Sequence, residues 1–285
     1  MNCPVTYEIA VGIIGAVACA GLLAAAVRAK LGWGNGAVMC VLALVLCQLG
    51  ARGLYVLVCD LPGGGYMGPW LAQEPYVYAF GGGVLGFVAA LWVMRLRRPV
   101  REVSEAFVPV GMLAVCLLRL AEALSDFGWG DMLENTLFQR YPFAIENMYG
   151  EWCAAVFNLE ALCALVILAA LLCRPGRRLE TALVWWAVTQ IFCESLRVES
   201  IQWGFVRVQQ LLSVIIVAAV MLSTGRRAAS VKAWIVYAAC IGVIIFIEYA
   251  LDKLPFPIWL DYAVMACAVG VMGVNAQRMV GRKAA

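Results

Sequence analysis

Residues 153–173 read CAAVFNLEALCALVILAALLC, in which Glu160 is the single ionisable group besides the cysteine thiols. A helix of about 20 mainly apolar residues is long enough to cross the hydrocarbon core of a bilayer. The apolar residues are continuous and do not alternate with period two, which favours a helix over a barrel strand. This stretch therefore predicts a transmembrane helix that carries one carboxylate.

Eight further stretches have the same apolar character, although the one at 181–196 is short and carries charge. The others are 9–27, 36–59, 77–94, 106–124, 206–223, 233–251 and 258–274. The chain of 285 residues is 64% hydrophobic and 14% charged, with a mean hydropathy of +0.88. A water-soluble domain of this length needs far more polar surface. We predict an all-α, polytopic transmembrane helix bundle with about nine spans.

Basic residues are unevenly distributed among the connections. Fifteen of the 21 Lys and Arg residues follow odd-numbered spans. Because cytoplasmic loops retain Lys and Arg, odd-numbered spans are predicted to end in the cytoplasm. We expect a multi-pass protein of the plasma (inner) membrane with its N-terminus outside and its C-terminus cytoplasmic. The long outer connection 125–152 is expected to form an ordered cap, with short helices as one option.

Composition also excludes several classes of function. The chain has no histidine, which removes the commonest general base and the commonest transition-metal ligand. Its twelve cysteines form no C-x-x-C pair, and most lie inside apolar runs as small hydrophobic residues. No basic run is long enough to follow a nucleic acid. We predict no metal, no other cofactor and no nucleic-acid partner.

Ionisable side chains inside the spans are costly, and by default they mark a functional site. In the predicted topology those at the outer ends of the spans form one layer near the outer leaflet. Two pairs have the i, i+3 spacing that places both side chains on one helix face: Arg119 with Glu122, and Glu194 with Arg197. Charged residues in the predicted spans or at their ends include Arg52, Arg119, Glu122, Glu160, Glu194, Arg197 and Glu248.

This layer has two readings. The charges can be internal ion pairs that hold the bundle together, or the arginines can clamp a phosphate through their forked guanidinium groups. The phosphate available at that depth belongs to a lipid headgroup, so the second reading predicts an outward-facing pocket for an anionic phospholipid. The glycines at 81–83 and Gly86 likewise indicate either close helix packing or close approach of the backbone to a phosphate.

Six short motifs, in order, resemble those of prolipoprotein diacylglyceryl transferases over about residues 5–225. They are GARGLYVL at 50–57, FGGGVLG at 80–86, LRLAE at 118–122 followed by GWG at 128–130, LEAL at 159–162, ESLR at 194–197 and QLLS at 210–213. Members of that family have seven spans. The resemblance therefore implies a transferase-like membrane domain at 1–225 and a two-helix C-terminal extension at 226–285 packed on it.

The resemblance implies an enzyme that transfers the diacylglyceryl group of phosphatidylglycerol to the lipobox cysteine of preprolipoproteins and releases glycerol phosphate. Its partners are then phosphatidylglycerol, the signal peptide of the preprolipoprotein, and the membrane. Arg119 is implied to hold the lipid phosphate, and Gly130 to lie in the outer loop beside the site. The full set of expected substrate-binding residues is Arg52, Gly82, Gly83, Gly130, Glu160 and Arg197.

The chain departs from the family motifs at four positions. Gly81 stands where the family has His, Glu122 where it has Asn, Leu159 where it has Tyr, and Gln190 where it has Arg. Without a histidine, the thiol proton needs another acceptor, and a carboxylate withdrawn from water can act as a base.

We expect three catalytic residues. Glu122 is the first candidate for the base and Glu194 the second, while Arg119 stabilises the departing phosphate. Two alternatives stay open. One is a family-derived phospholipid- or lipoprotein-binding membrane protein with lost or altered transferase activity. The other is a small transporter, although the internal repeats typical of transporters are not evident here.

Overall fold

The structure is a computed structural model that describes residues 6–60, 79–125, 128–147, 149–198, 200–203, 206–225, 231–254 and 257–282. These residues form nine α-helices and four short strands, so the prediction of an all-α, polytopic membrane bundle is confirmed. The helices are α1 (Tyr7–Arg28), α2 (Trp33–Tyr55), α3 (Phe80–Met94), α4 (Val100–Ala121), α5 (Val156–Cys173), α6 (Arg178–Leu196), α7 (Val208–Gly225), α8 (Val231–Lys253) and α9 (Ile258–Arg282). The strands are β1 (Ala144–Glu146), β2 (Trp152–Ala154), β3 (Gln202–Trp203) and β4 (Val206–Arg207).

Six of the described helices are long and apolar enough to cross a membrane by length and composition: α1, α2, α4, α5, α8 and α9. Helices α3 and α7 are shorter apolar helices. Helix α6 corresponds to the predicted stretch 181–196 and has Arg178 and Glu180 in its first turn. Length and composition therefore separate the six long helices from the three whose spanning role depends on the rest of the bundle.

Each predicted span overlaps one helix, but several helix ends differ from the ends of the apolar runs. Helix α4 begins at Val100, six residues before the predicted stretch 106–124, because its first turn is built from charged residues such as Glu102. Residues 153–154 and 206–207 belong to strands rather than helices. Residues 77–78 lie outside the described part of the chain. Hydropathy thus located the helices, whereas their ends follow local hydrogen bonding.

The chain divides into two compact units. The first comprises Met1–Leu179 and Arg197–Val208, and the second comprises Glu180–Leu196 and Gln209–Ala285. The family resemblance predicts a different division, between residues 225 and 226. That division separates the part of the chain related to the family from the added helices, not one compact unit from another, and it stays a prediction.

In the first unit, α2 and α3 touch backbone to backbone. A Cβ atom added to Gly82 would lie 2.2 Å from the carbonyl oxygen of Gly50, and one added to Gly86 would lie 2.0 Å from that of Leu46. Only glycine permits this approach, so Gly82 and Gly86 have the packing role that the sequence left open. Gly83 has more room, because a Cβ atom added there would lie 3.7 Å from the side chain of Ala51, an ordinary contact distance.

The turn between α5 and α6 is held by a carboxylate from α4. Helix α5 ends before Pro175, and Gly176 supplies the positive φ of 107° that the turn needs. Glu105 accepts backbone hydrogen bonds from Gly176 at 2.9 Å and from Arg178 at 3.1 Å, and it also pairs with the Arg178 guanidinium. This contact joins the beginning of α4 to the end of α5 within the first unit.

The connection between α4 and α5 is a small antiparallel ribbon in its described part, and the option of short helices there is wrong. Strands β1 and β2 pair with Ile145 opposite Cys153. The Asn147 side chain closes the hairpin by accepting backbone hydrogen bonds from Tyr149 and Glu151, each at 2.9 Å. Such an Asx turn satisfies the backbone locally and competes with helix formation.

Candidate active site

Four charged side chains of the first unit meet at the end of α4. Two come from α4 and the turn directly after it, one from the first turns of α5, and one from the residue after α6. They are Arg119, Glu122, Glu160 and Arg197.

Each carboxylate bridges both arginines, so the four side chains form a closed ring. Arg119 pairs through Nη1 with Glu122 and through Nε with Glu160. Arg197 donates from Nη2 to Oε2 of Glu122 and from Nε to Oε1 of Glu160, both at 2.9 Å. We call these four residues the ion ring. Two positive and two negative formal charges cancel within it.

The ion ring is largely withdrawn from solvent. The side chains of Glu160 and Arg119 are 1% and 3% exposed, whereas those of Arg197 and Glu122 are 11% and 13% exposed. Taking a charge out of water costs several kcal/mol unless it is well paired, and mutual pairing in the ring meets that requirement. The pair predicted from the spacing of Arg119 and Glu122 is confirmed.

Arg197 follows Leu196, the last residue of α6, and its predicted pairing with Glu194 stays a prediction. Its backbone forms a β-bridge with Gly130, whose amide donates to the carbonyl of Ala154 at 2.8 Å. The guanidinium of Arg207 donates to the Arg197 carbonyl at 2.8 Å. The ribbon and the last residues of the first unit thus fix Arg197, and they place Gly130 opposite it, while the role of Gly130 in the site stays a prediction.

Three residues outside the predicted set also approach the ion ring. The Phe80 ring centroid lies 3.7 Å from Arg119 Cζ, a cation–π contact. Tyr7, at the start of α1, interacts electrostatically with Glu122 and Arg119. Gly128 has a φ of 84°, and a Cβ atom there would lie 2.5 Å from Oε2 of Glu122. The ion ring is therefore packed against α3 and the segment that follows α4, and the start of α1 lies within electrostatic reach of it.

These additional residues gave weak signals in the sequence. Phe80 and Gly128 stand in two of the motifs given above, but a motif does not say which member touches a charge. Tyr7 stands between Thr6 and Glu8, just before the apolar stretch 9–27, and Arg207 follows a short connection. Only the folded backbone brings them to the ion ring.

The remaining predicted residues have different surroundings. Arg52 is buried in the last turn of α2, with its Cζ atom 5.3 Å from the ring centroid of Tyr55. Gly82 and Gly83 lie in the first turn of α3, directly after Phe80. Glu194 is buried on α6 in the second unit. The roles of these four residues in substrate binding or catalysis stay predictions.

The ribbon beside the ion ring contains a buried thiol. Cys153 lies in β2 and accepts a hydrogen bond from Asn147 Nδ2 at 3.6 Å. Burial raises the pKa of the Cys153 thiol, and the negative charges of Glu151 and Asp131 act in the same direction. Cys153 is consequently held as a neutral thiol, which suits a packing role rather than a nucleophile.

Residues 6–224 match the sequence profile of one family, described as prolipoprotein diacylglyceryl transferase. The chain belongs to the prolipoprotein diacylglyceryl transferase family. None of the curated proteins compared with the chain matches it. The diacylglyceryl transferase match includes every residue of the ion ring, whereas α8 and α9 lie beyond it. Family membership makes the chain a transferase-like, multi-pass membrane protein.

The second unit has a polar cluster of a different kind, which we call the Glu248 cluster. Glu248 on α8 accepts hydrogen bonds from the Ser195 hydroxyl and from Gln210 Nε2, the latter at 2.6 Å. Gln210 also donates to the Ser195 hydroxyl at 2.8 Å. Glu248 lies outside the diacylglyceryl transferase match, but Ser195 and Gln210 lie within it.

Proposed function

We propose that the chain transfers the diacylglyceryl group of phosphatidylglycerol to the lipobox cysteine thiol of preprolipoproteins. The observation that carries this proposal is the ion ring, because it holds two guanidinium groups side by side inside a chain of the family. Planar guanidinium forks match the oxygens of a phosphate. The phosphodiester of an anionic lipid is the phosphate that a membrane supplies to such a site.

In the proposed reaction, the substrate thiol loses its proton and the thiolate attacks the glyceryl carbon that carries the phosphate. A carbon–sulfur bond forms and the carbon–oxygen bond breaks. Its electron pair stays on the phosphate oxygen, so glycerol phosphate leaves with one more negative charge than the diester had. Arg119 and Arg197 stabilise that added charge, and such electrostatic stabilisation contributes about 10²–10³ in rate for one donor.

Glu122 is the proposed acceptor of the thiol proton. The chain has no histidine, and Glu122 is the more exposed carboxylate of the ion ring. Glu122→Gln is expected to abolish transfer, and full activity in that variant would remove the assignment. Glu194→Gln examines the second candidate in the same way.

The decisive experiment is transfer from labelled phosphatidylglycerol to a synthetic lipobox peptide by the full chain in proteoliposomes. Mass spectrometry is expected to show a thioether-linked diacylglyceryl group on the cysteine, and a peptide with serine in its place stays unmodified. Arg119→Lys keeps the charge but loses the fork, so transfer is expected to fall about 10²–10³-fold. Arg178→Lys is the matched control, because Arg178 pairs with Glu105 outside the ion ring.

If the wild-type chain binds phosphatidylglycerol but transfers nothing, the transferase proposal is wrong and the alternative of a lipid-binding family member replaces it. If it neither binds nor transfers, the ion ring serves only as an internal ion pair.

The membrane arrangement is part of the proposal. The excess of Lys and Arg after odd-numbered spans supports an N-terminus outside and a C-terminus in the cytoplasm of the plasma membrane. The end of the family match at residue 224 supports a transferase domain at 1–225 followed by an added helix pair at 226–285. A C-terminal reporter that is active only in the cytoplasm tests the orientation.

A further inference from the structure

We propose that Glu122 occupies, in the free protein, the place that the lipid phosphate takes, and that phosphate binding displaces Glu122 while Glu160 keeps hold of both arginines. The identity of the ligand rests on the proposed function. The displacement itself rests on the two carboxylates of the ion ring, which differ in the nitrogens they contact, in exposure and in backbone support.

The contacted nitrogens differ first. Glu160 pairs with the Nε atoms of Arg119 and Arg197, next to the aliphatic stems of those side chains. Glu122 pairs instead with the terminal nitrogens, Nη1 of Arg119 and Nη2 of Arg197. Glu160 therefore fixes where the guanidinium groups point, whereas Glu122 covers their outer ends, where an arriving anion would bind.

The two carboxylates also differ in exposure and in backbone support, and these differences again favour Glu122 as the one that is displaced. The Glu160 side chain is 1% exposed and projects from within α5, whereas that of Glu122 is 13% exposed. Glu122 begins a short 3₁₀ turn, Glu122–Leu124, just after α4 ends. The Glu122 carboxylate also faces Gly128, which has no Cβ atom that could hold the carboxylate in place. Glu122 is thus the carboxylate that solvent reaches and that the backbone constrains least.

The charges give the displacement a chemical consequence. The ion ring is neutral, and a phosphodiester adds one negative charge that two fully paired arginines cannot neutralise. When the phosphate takes over the terminal nitrogens, Glu122 is left beside it as a carboxylate without its two cations. The lipobox thiol then passes its proton to Glu122, and the thiolate attacks the glyceryl carbon as described above. Lipid binding thereby produces the base that the reaction needs.

The experiment measures equilibrium binding of fluorescent phosphatidylglycerol to the purified full chain in uncharged detergent, with no peptide present. Glu122→Gln removes the negative charge that competes with the phosphate for the terminal nitrogens, so binding is expected to tighten on the order of tenfold, the equivalent of about 1.4 kcal/mol. Glu160→Gln removes the same charge from the same ring but releases the guanidinium groups, so binding is expected to weaken. Glu105→Gln, on the opposite end of α4, is expected to leave binding unchanged.

If only the loss of one negative charge mattered, both Glu122→Gln and Glu160→Gln would bind the lipid more tightly. Opposite changes in affinity therefore distinguish the displacement from a simple charge effect. Equal tightening in both variants, or unchanged or weaker binding in a folded Glu122→Gln protein, would overturn the displacement. If Glu122→Gln does not fold, Glu122→Asp is used, because the shorter side chain reaches only one arginine and is expected to give a smaller tightening of the same sign.

Two further arms separate this inference from the proposed function. Glycerol phosphate and inorganic phosphate are tested as competitors of the fluorescent lipid. Tightening for the lipid, with no transfer by the wild-type chain, supports the displacement and contradicts the transferase reaction. Tightening for inorganic phosphate alone overturns the lipid as the ligand of this site.

Discussion

The ion ring is largely buried and the Glu248 cluster is partly buried, and they differ in the partners described for their carboxylates. In the ion ring all four members are charged, and each carboxylate contacts two guanidinium groups. In the Glu248 cluster the described partners of the carboxylate are a hydroxyl and an amide. The ion ring contains cations that an anion can take over, whereas the two hydrogen bonds described for Glu248 come from neutral donors. Losing a carboxylate is therefore expected to have a larger effect in the ion ring than in the Glu248 cluster.

Replacing a glutamate by glutamine in each of the two regions tests this comparison most directly, and the larger effect is expected in the ion ring. Glu160→Gln leaves two buried arginines with one carboxylate between them, and removing one partner of a buried ion pair costs about 3–5 kcal/mol. We expect that loss in the free energy of unfolding, measured by SDS titration of the chain in mixed micelles. Glu105→Gln serves as the control, because Glu105 is 23% exposed. A loss below about 1 kcal/mol, the usual value of an exposed pair, would show that water enters the ion ring.

Gly128→Ala tests the position of Glu122 in the ion ring. The added Cβ would lie 2.5 Å from Oε2 of Glu122 at a φ of 84°, so Glu122 must move. Adopting a left-handed conformation without glycine costs about 1–2 kcal/mol, and binding of phosphatidylglycerol is expected to change in the direction of Glu122→Gln. Gly176→Ala is the matched control, because Gly176 has a φ of 107° and its Cβ would meet nothing within 4 Å. Equal effects on lipid binding in the two variants would contradict the role of Glu122.

Glu248→Gln is expected to have a smaller effect than Glu160→Gln. The amide oxygen still accepts from Ser195 or Gln210, and both of these can also donate to the carbonyl of Ile191, each at 3.2 Å. Side-chain hydrogen bonds between transmembrane helices contribute about 0.6 kcal/mol on average, so we expect a loss of that size in the same SDS titration. A loss as large as that of Glu160→Gln would show that the Glu248 cluster also carries an unbalanced charge.

Cys153 reports whether the ribbon beside the ion ring stays closed. Because burial raises the pKa of the Cys153 thiol, little thiolate forms near neutral pH. Alkylation by iodoacetamide is expected to be slow there and to rise about tenfold per pH unit until the pH passes the raised pKa. Peptide mapping by mass spectrometry measures the rate, with the exposed Cys173 as the comparison. Rapid alkylation of Cys153 at neutral pH in the wild-type chain would contradict the buried position.

The sequence predicted the helices well because a bilayer imposes length and apolarity on every span. It also predicted that Arg119 and Glu122 pair, since that contact is local on one helix. The partners of Arg197 were not predictable in this way. Its contacts with Glu122 and Glu160 join positions 75 and 37 residues apart, and they exist because the chain leaves α6 at Leu196 and forms a β-bridge with Gly130.

The Glu248 cluster shows a second limit of sequence reasoning. Glu248 stood out as a charge inside a predicted span, but hydropathy says nothing about which helix faces it. The family resemblance ends before α8, so it offered no partner either. Ser195 and Gln210 are ordinary polar residues in their own helices, and only the packing of the second unit joins them to Glu248.

The glycine seam between α2 and α3 restricts how a lipid travels. Where the backbone of Gly82 rests on that of Gly50, and Gly86 on Leu46, the gap between the two helices is narrower than a single methyl group. An acyl chain cannot pass between α2 and α3 at that level, so a lipid that reaches the ion ring from the bilayer must enter elsewhere.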